Sequence, residues 1–409
     1  MTDILKLIPP MLTGAELHQA LAVNPEYDPI ICHASAAERL IALNTLYDVY
    51  YPFSMSSAIY SKMYLSMVRS LQRKTGKLAV QQRNSNHFGK GQSYFGVCNA
   101  DSFTITGVSG IGKSSAISRA IALMEGDNVI TFSSQYSQVQ SVLPVLHVQV
   151  PFDSSPKSFL LSVLSSLDQA LSTTYYESAS KSRVTTDILI NMTANSLLNG
   201  VLLLVCDEIQ NVVNSRNGTA LIGTLIQLIN SSGISICMVG TPECLPFFEQ
   251  DYKLARRSLG IHIDRLPLDA DFVRFCQTLY KYKYVSGDMA LTDGVVQWLY
   301  EHSNTAADVC TLIESAQQLS ILDGTETVDI GTLQRAYSQR AGLLHSHIAL
   351  GQVKMAAKRE SAPELPALTE TTPSFEKGLL AQTVSEAKRK ELPVLDLLRQ
   401  RVTILEVSL

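Results

Sequence analysis

The sequence predicts an α/β fold, a parallel sheet flanked by helices, with a helical region before it and a helical segment after it. Three observations carry this. Short apolar runs alternate with helix-length segments between residues 101 and 267, and one of them, Val201–Cys206, is unbroken, as in a sheet covered on both faces. One of those runs, Ser102–Thr106, leads directly into a glycine-rich turn and then a helix from about Lys113 to Met124. From Leu268 the strand signal disappears, and only helical spacing follows, to about Leu350.

Taken in order, residues 1–100 read as mostly helical. Ala36–Leu43 and Ala58–Leu71 carry apolar residues three and four apart, while Gln81–Gln92 is polar and reads as a loop. This region is expected to contact a partner or DNA. No acidic residue falls between Asp48 and Asp101, whereas Lys62, Arg69, Arg73, Lys74, Lys77, Arg83 and Lys90 all do. A surface of that sign would attract phosphate backbones or an acidic partner; the plain alternative is a solvated face balanced by acids elsewhere. The overall net charge of −4 does not decide between them.

In the core, Val145–Val150, Val201–Cys206 and Ile234–Val239 read as further strands, with a helix beginning near Ser158. The segment 268–350 reads as four helices, Asp269–Tyr284, Thr292–His302, Thr305–Leu322 and Asp329–Gly342, each opened by a residue suited to N-capping. Residues 351–409 begin rich in Ser, Pro, Glu and Thr, as a flexible linker, and end in the more apolar Leu392–Leu409, which either folds back on its own chain or serves as a partner-binding tail that orders on another protein.

Seven scattered cysteines, never in a CxxC pair, offer no zinc site or disulfide framework. Cys206 and Cys237 fall within apolar runs, where the thiol acts as a small hydrophobe. With no signal-like N-terminus and no apolar run near membrane-spanning length, the expectation is a cytoplasmic protein with no membrane partner.

The chemistry is concentrated in two motifs. GVSGIGKS, from Gly107 to Ser114, is a complete G-x-x-x-x-G-K-[ST] phosphate loop, placed between a strand and a helix as its function requires. The candidate nucleotide-binding residues are Gly107, Ser109, Gly110, Ile111, Gly112, Lys113, Ser114 and Ser115. Glycines let successive N–H groups curl around a phosphate, Lys113 opposes the β- and γ-phosphate charge, and the Ser114 hydroxyl coordinates Mg²⁺. LLLVCDE, ending at Asp207 and Glu208, supplies the acidic partner: Asp207 for the Mg²⁺ shell, Glu208 to polarise the attacking water. ATP and Mg²⁺ are therefore the expected ligands. A strand between the two motifs points to a hydrolase and not to a simple metabolite kinase.

This layout, with a helical lid after the nucleotide-binding core, resembles the AAA+ ATPases. In that class Thr241, at the end of the next strand, stands where a polar sensor residue faces the γ-phosphate; the alternative is a cap of the turn beside Pro242. Arg256 and Arg257 stand where an arginine reaches the neighbouring subunit's nucleotide, or else are two solvated arginines. The lid arginine common in AAA+ proteins is missing, since the third lid helix begins Thr305-Ala306-Ala307-Asp308.

From Pro25 to Tyr337 the chain resembles a narrower family, the TnsC/TniB ATPases that regulate target choice in multi-component transposons. The resemblance is carried by GVSGIGKSSAISRAI (Gly107–Ile121), VPFDSSPKSFLLSVLSSLDQAL (Val150–Leu171), VLLLVCDEIQNV (Val201–Val212), LIQLINSSGISICMVGTPE (Leu225–Glu243) and LARRSLG (Leu254–Gly260), with NTAADVCTLIESAQQLSI and DIGTLQRAY in the lid. It implies an ATP-dependent regulator that forms a homo-oligomeric ring or filament on double-stranded DNA. It also implies a link between a target selector of the TniQ/TnsD type and the transposase TnsB, often with the endonuclease TnsA. Lys181 and Arg183 are the nearest candidates for DNA contact. Two other classes share parts of the pattern: replication initiators or helicase loaders, which usually carry a winged-helix reader after the lid, and STAND-type signalling ATPases, which append repeat arrays.

Overall fold

The computed structural model describes residues 4–74, 102–125, 129–134, 137–181, 184–213, 215–249 and 260–347. The chain divides into two compact units, Met1–Leu343 and Leu344–Leu409. The elements below lie in the first, apart from the end of the final helix. Lys77, Arg83 and Lys90, the loop 81–92, Arg183, Arg256, Arg257 and the tail lie outside the described residues, as do the side chains of Arg73, Lys74 and Lys181.

Among the described residues six strands form one sheet: β1 Phe103–Gly107, β2 Ile130–Ser134, β3 Ser137–Gln149, β4 Val201–Asp207, β5 Ser235–Gly240 and β6 Ile261–Ile263, in spatial order β2-β3-β4-β5-β1-β6. Every pairing is parallel except β2 with β3. The phosphate-loop strand β1 and the acidic strand β4 are thus separated by β5, whereas β3, which holds the Val145–Val150 run between the two motifs in sequence, lies on the far side of β4.

Apolar runs become central strands because both faces are covered. Along β4, Leu203 and Val205 join one apolar cluster while Leu204 and Cys206 join the other, all fully buried. β5 repeats this, with Cys237 and Val239 on one side and Ile236 and Met238 on the other. Each such side chain contributes about 1.5–3 kcal/mol of burial free energy. Burial raises both thiols well above the ordinary range, consistent with a packing role.

Helices α1 (Gly14–Leu21), α2 (Ala36–Ala42) and α3 (Ser54–Lys74) precede β1, and α4 (Lys113–Glu125) follows it. The long α3 lies on the sheet, its Ile59, Met63, Met67 and Leu71 fully buried. Ser70 and Ser66 anchor it to the start of β5: Ser70 Oγ accepts from Ser235 N at 3.2 Å, and Ser235 Oγ donates to the Ser66 carbonyl at 3.2 Å. Of the basic stretch, Lys62 is half-buried with its amine 5.3 Å from the Phe103 ring centroid, and Arg69 is exposed. The other face of the sheet carries α5 (Pro156–Leu171), α6 (Tyr175–Lys181), α7 (Thr186–Gly200) and α8 (Gly218–Ser232), with the short α9 (Leu245–Glu249) after β5.

Four helices follow: α10 (Ala270–Tyr280), α11 (Asp293–His302), α12 (Ala306–Asp323) and α13 (Ile330–His347). Their capping residues are Asp269, Thr292, Thr305 and Asp329, each accepting a first-turn backbone N–H, at about 1 kcal/mol apiece. The first helix stops at Tyr280, four residues before the expected Tyr284. The buried Gln317 explains this: its Oε1 accepts from Tyr284 N at 2.7 Å and its Nε2 donates to the Tyr282 carbonyl at 3.1 Å. Those two bonds satisfy backbone groups that a continuing helix would otherwise have paired.

Residues 20–51 strap these layers together. Arg119 of α4 donates to the Leu21 carbonyl at 3.1 Å, Val23 pairs with Tyr50, and the Tyr282 hydroxyl donates to the Pro25 carbonyl at 3.1 Å. Arg39, almost fully buried, grips Glu326 at 2.6 and 2.8 Å. The Arg39 hydrogen bonds, helped by the Ser286 N–H, pull Glu326 from its ordinary 4.5 to about 2 against the opposing effect of burial. A depressed carboxylate stabilises the fold above its unfolded value and ceases to do so as pH falls from about 4.5 towards 2. Arg39→Ala should therefore lower unfolding free energy by about 2–3 kcal/mol at neutral pH, less than for a fully desolvated pair because Glu326 keeps some water contact. It should also flatten that part of the acid limb. Denaturant titrations from pH 7 to pH 3 check both; an unchanged midpoint at pH 7 would remove the clasp from the account.

Candidate nucleotide site

The phosphate loop starts where β1, buried along its whole length, ends at Gly107. Gly110 and Gly112 adopt φ of +80° and +103°, conformations that L side chains resist, and Ile111 between them is fully buried as the loop's anchor. Helix α4 begins at Lys113, and its first hydrogen bond runs from Ala116 N to the Gly112 carbonyl at 2.9 Å. The N–H groups of the first turn therefore have no acceptor within the helix, and Lys113, Ser114 and Ser115 line a cavity of about 360 Å³. Ser109, Gly110, Ile111 and Gly112 line it as well. Gly107 does not; its carbonyl, with that of Val108, accepts the Lys113 amine at 2.8 and 3.0 Å. Burial lowers the Lys113 pKa, while the negative charges of Asp207 and Glu208 pull the other way.

The sheet brings the acidic motif to the same cavity. Ser114 Oγ donates to Asp207 Oδ2 at 3.4 Å, and His147 Nε2 of β3 lies 3.5 Å from that oxygen. Asp207 Oδ1 accepts from Glu208 N at 2.8 Å. Burial would raise the Asp207 pKa, but hydrogen bonds from His147, the Glu208 N–H and Ser114 outweigh it and hold the carboxyl below its ordinary range. Glu208 leaves the strand in a left-handed conformation, φ 59°, ψ 34°, and its carboxylate accepts from Gln210 Nε2. Thr241 closes the row from the end of β5. Its side chain makes no cap hydrogen bond, and its Oγ1 is buried without a partner. Lys113, Ser114, Asp207, Glu208 and Thr241 thus share one cavity.

The donor set suits a magnesium nucleotide. A serine hydroxyl and an ionised carboxylate converge, a lysine amine stands behind the loop, and an orphaned threonine hydroxyl adjoins the space. Ser114 and Asp207 are the residues that would hold Mg²⁺.

The far wall of the cavity comes from elements that motif reading did not connect to it. Tyr50 and Phe53, just before α3, and Met55 in its first turn line the cavity with Phe275, Leu279 and Cys310 of α10 and α12, an apolar wall suited to a flat base. The signal for the first two is an aromatic run, Tyr47, Tyr50, Tyr51 and Phe53, ended by the start of a helix. The backbone N–H of Ala307, at the start of α12, reaches the Gly110 carbonyl at 3.4 Å, so α12 adjoins the loop although its first turn carries no arginine. Arg340 of α13 pairs with Asp308 beside this contact, at 3.2 Å.

Residues 99–248 match the protein family described as AAA domain. The fold is that of an AAA+ P-loop NTPase. Around the AAA domain the chain adds the strap and the four capped helices. Among solved structures it is similar to the Aeropyrum pernix ORC1 protein in complex with DNA, at 15% identity over 64% of this chain and 68% of that one, with a TM-score of 0.42. It is similar also to Drosophila ORC bound to DNA, at 13% identity over 97% and 83%, TM-score 0.43. Domain III of the Thermotoga maritima replication initiation protein DnaA gives 13% over 64% and 92%, TM-score 0.37. Likeness at this level says nothing about ligand or partner. No curated protein matches the sequence. Among the described residues no helix is long and apolar enough to cross a membrane.

Proposed function

We propose that the chain hydrolyses ATP, and that it does so as a DNA-bound regulator of transposition of the TnsC/TniB kind. The observation that carries the hydrolytic reading is the convergence of Lys113, Ser114, Asp207, Glu208 and Thr241 on one cavity with an apolar wall opposite. Lys113 binds the β- and γ-phosphates, Thr241 donates to the γ-phosphate, and Glu208 accepts the proton of the attacking water. When bound, Mg²⁺ neutralises developing phosphate charge, held by Ser114 and Asp207.

What supports transposition is the joint presence of Asp-Glu-Ile-Gln, Gly-Thr-Pro and Ala-Arg-Arg along the chain. On this reading Arg256 or Arg257 completes the site of a neighbouring copy. The chain then assembles as a homo-oligomer on double-stranded DNA between a TniQ/TnsD-type selector and the TnsB transposase with TnsA. The cavity chemistry is shared with replication initiators, which also engage DNA.

Filter binding with duplex DNA, with and without a non-hydrolysable ATP analogue, tests the DNA-bound part. Retention that requires the analogue is the expected result, and its salt dependence should reflect phosphate contacts. Equal, negligible retention in both arms would instead leave a protein-directed ATPase switch. Transposition itself is tested by recruitment of a TnsB-type transposase to the retained complexes, which a replication initiator would not show.

A further inference from the structure

Gln210 stands on the turn after β4 and lines the same cavity as Glu208 and Thr241. Its side-chain amide is bonded at both ends. Oε1 accepts from Thr241 N at 3.2 Å. A backbone N–H can only donate, so this bond sets the orientation of the amide and turns Nε2 towards Glu208. Nε2 donates to Glu208 Oε2.

The surrounding backbone is shaped for this bridge. The left-handed Glu208 brings its carboxylate back over its own turn, and Asn211 N bonds the Glu208 carbonyl at 3.0 Å to close that turn. Asn211 Nδ2 then ties the turn to the Val150 carbonyl at the end of β3, at 2.9 Å. On the opposite side, a Cβ at Gly240 would lie 2.8 Å from Gln210 Oε1 and 2.6 Å from the Ile209 side chain. Glycine at that position leaves room for the amide.

We infer that Gln210 is a positioning residue for hydrolysis, tying the Glu208 carboxylate to the end of β5 so that the base and Thr241 keep a constant separation. The inference rests on the reading that Glu208 activates water. With Oε2 committed to Gln210, Oε1 is the oxygen that accepts from the attacking water. Thr241, held by the other end of the same amide, presents its unpartnered hydroxyl to the phosphate that water attacks. Without the bridge Glu208 swings about its own side-chain torsions, and its geometry towards water is lost while the phosphate loop is untouched.

Two substitutions separate the two ends of the bridge. Gln210→Glu keeps an acceptor for Thr241 N and nearly the same shape, but sets an oxygen against the Glu208 carboxylate. Gln210→Ala removes both ends. ATP turnover, affinity for a fluorescent ATP analogue and thermal midpoint are measured for both, beside wild type and Glu208→Gln. The expected result is a fall in kcat of about 10²-fold in both variants, with analogue affinity within about twofold of wild type and an unchanged midpoint. Wild-type kcat in Gln210→Glu would overturn the inference, because the donor to Glu208 would then be dispensable. Loss of affinity or midpoint in parallel with kcat would overturn it too, by making the role structural. If wild type and Glu208→Gln turn over equally, it is the assignment of Glu208 that fails.

Discussion

Lys113→Ala should bind ATP at least about 10²-fold more weakly than wild type, because hydrogen bonds to charged groups contribute about 1.5–3 kcal/mol each and the amine serves two phosphates. The effect should be confined to the ligand. Among the described residues the amine bonds the carbonyls of Gly107 and Val108, which can bond water in its absence, and the side chain is only partly buried. Folding should therefore survive the change. A fluorescent-nucleotide titration beside a thermal melt checks both halves: tight binding by a folded Lys113→Ala protein would refute the phosphate-loop assignment. A collapsed melt would show instead that Lys113 stabilises the loop.

Glu208→Gln is expected to separate binding from turnover. An amide at this position has nearly the same shape but cannot take a proton from water, so kcat should fall about 10²–10⁴-fold. Nucleotide affinity should stay near wild type, since the residues opposing phosphate are unchanged. Complexes on duplex DNA formed with ATP should then persist, the nucleotide remaining unhydrolysed. Wild-type turnover in this variant would move the catalytic role to another residue of the cavity, and rapid loss of the DNA complex would disconnect assembly from hydrolysis.

The parts of this protein legible in its sequence are those set by neighbours along the chain. A phosphate loop is eight consecutive residues whose geometry depends on glycines and on the helix they open, so GVSGIGKS identifies itself. Helix starts at Asp269, Thr292, Thr305 and Asp329 were equally legible, because a cap bonds N–H groups two or three residues away. The runs at Val201–Cys206 and Ile234–Val239 announced strands covered on both faces through composition alone.

Tertiary structure decided whatever depends on partners far along the chain. Tyr50 and Phe53 belong to the cavity because the strap crosses from α1 to the four capped helices, held by Arg119, Val23 and the Arg39–Glu326 clasp. Helix α10 ends early because Gln317, more than thirty residues later, bonds the loop after it. β2 escaped notice because an antiparallel edge strand of five residues has no unbroken apolar run. His147 reads as one polar residue in a strand until β3 lies beside β4 and sets it against Asp207. Gln210 lies two residues from Glu208, but its other bond reaches Thr241, thirty-one positions away. Local spacing determines which residues can bond within a turn of backbone; which distant side chains share a cavity is set by strand order and helix packing, and no periodicity of the sequence encodes that order.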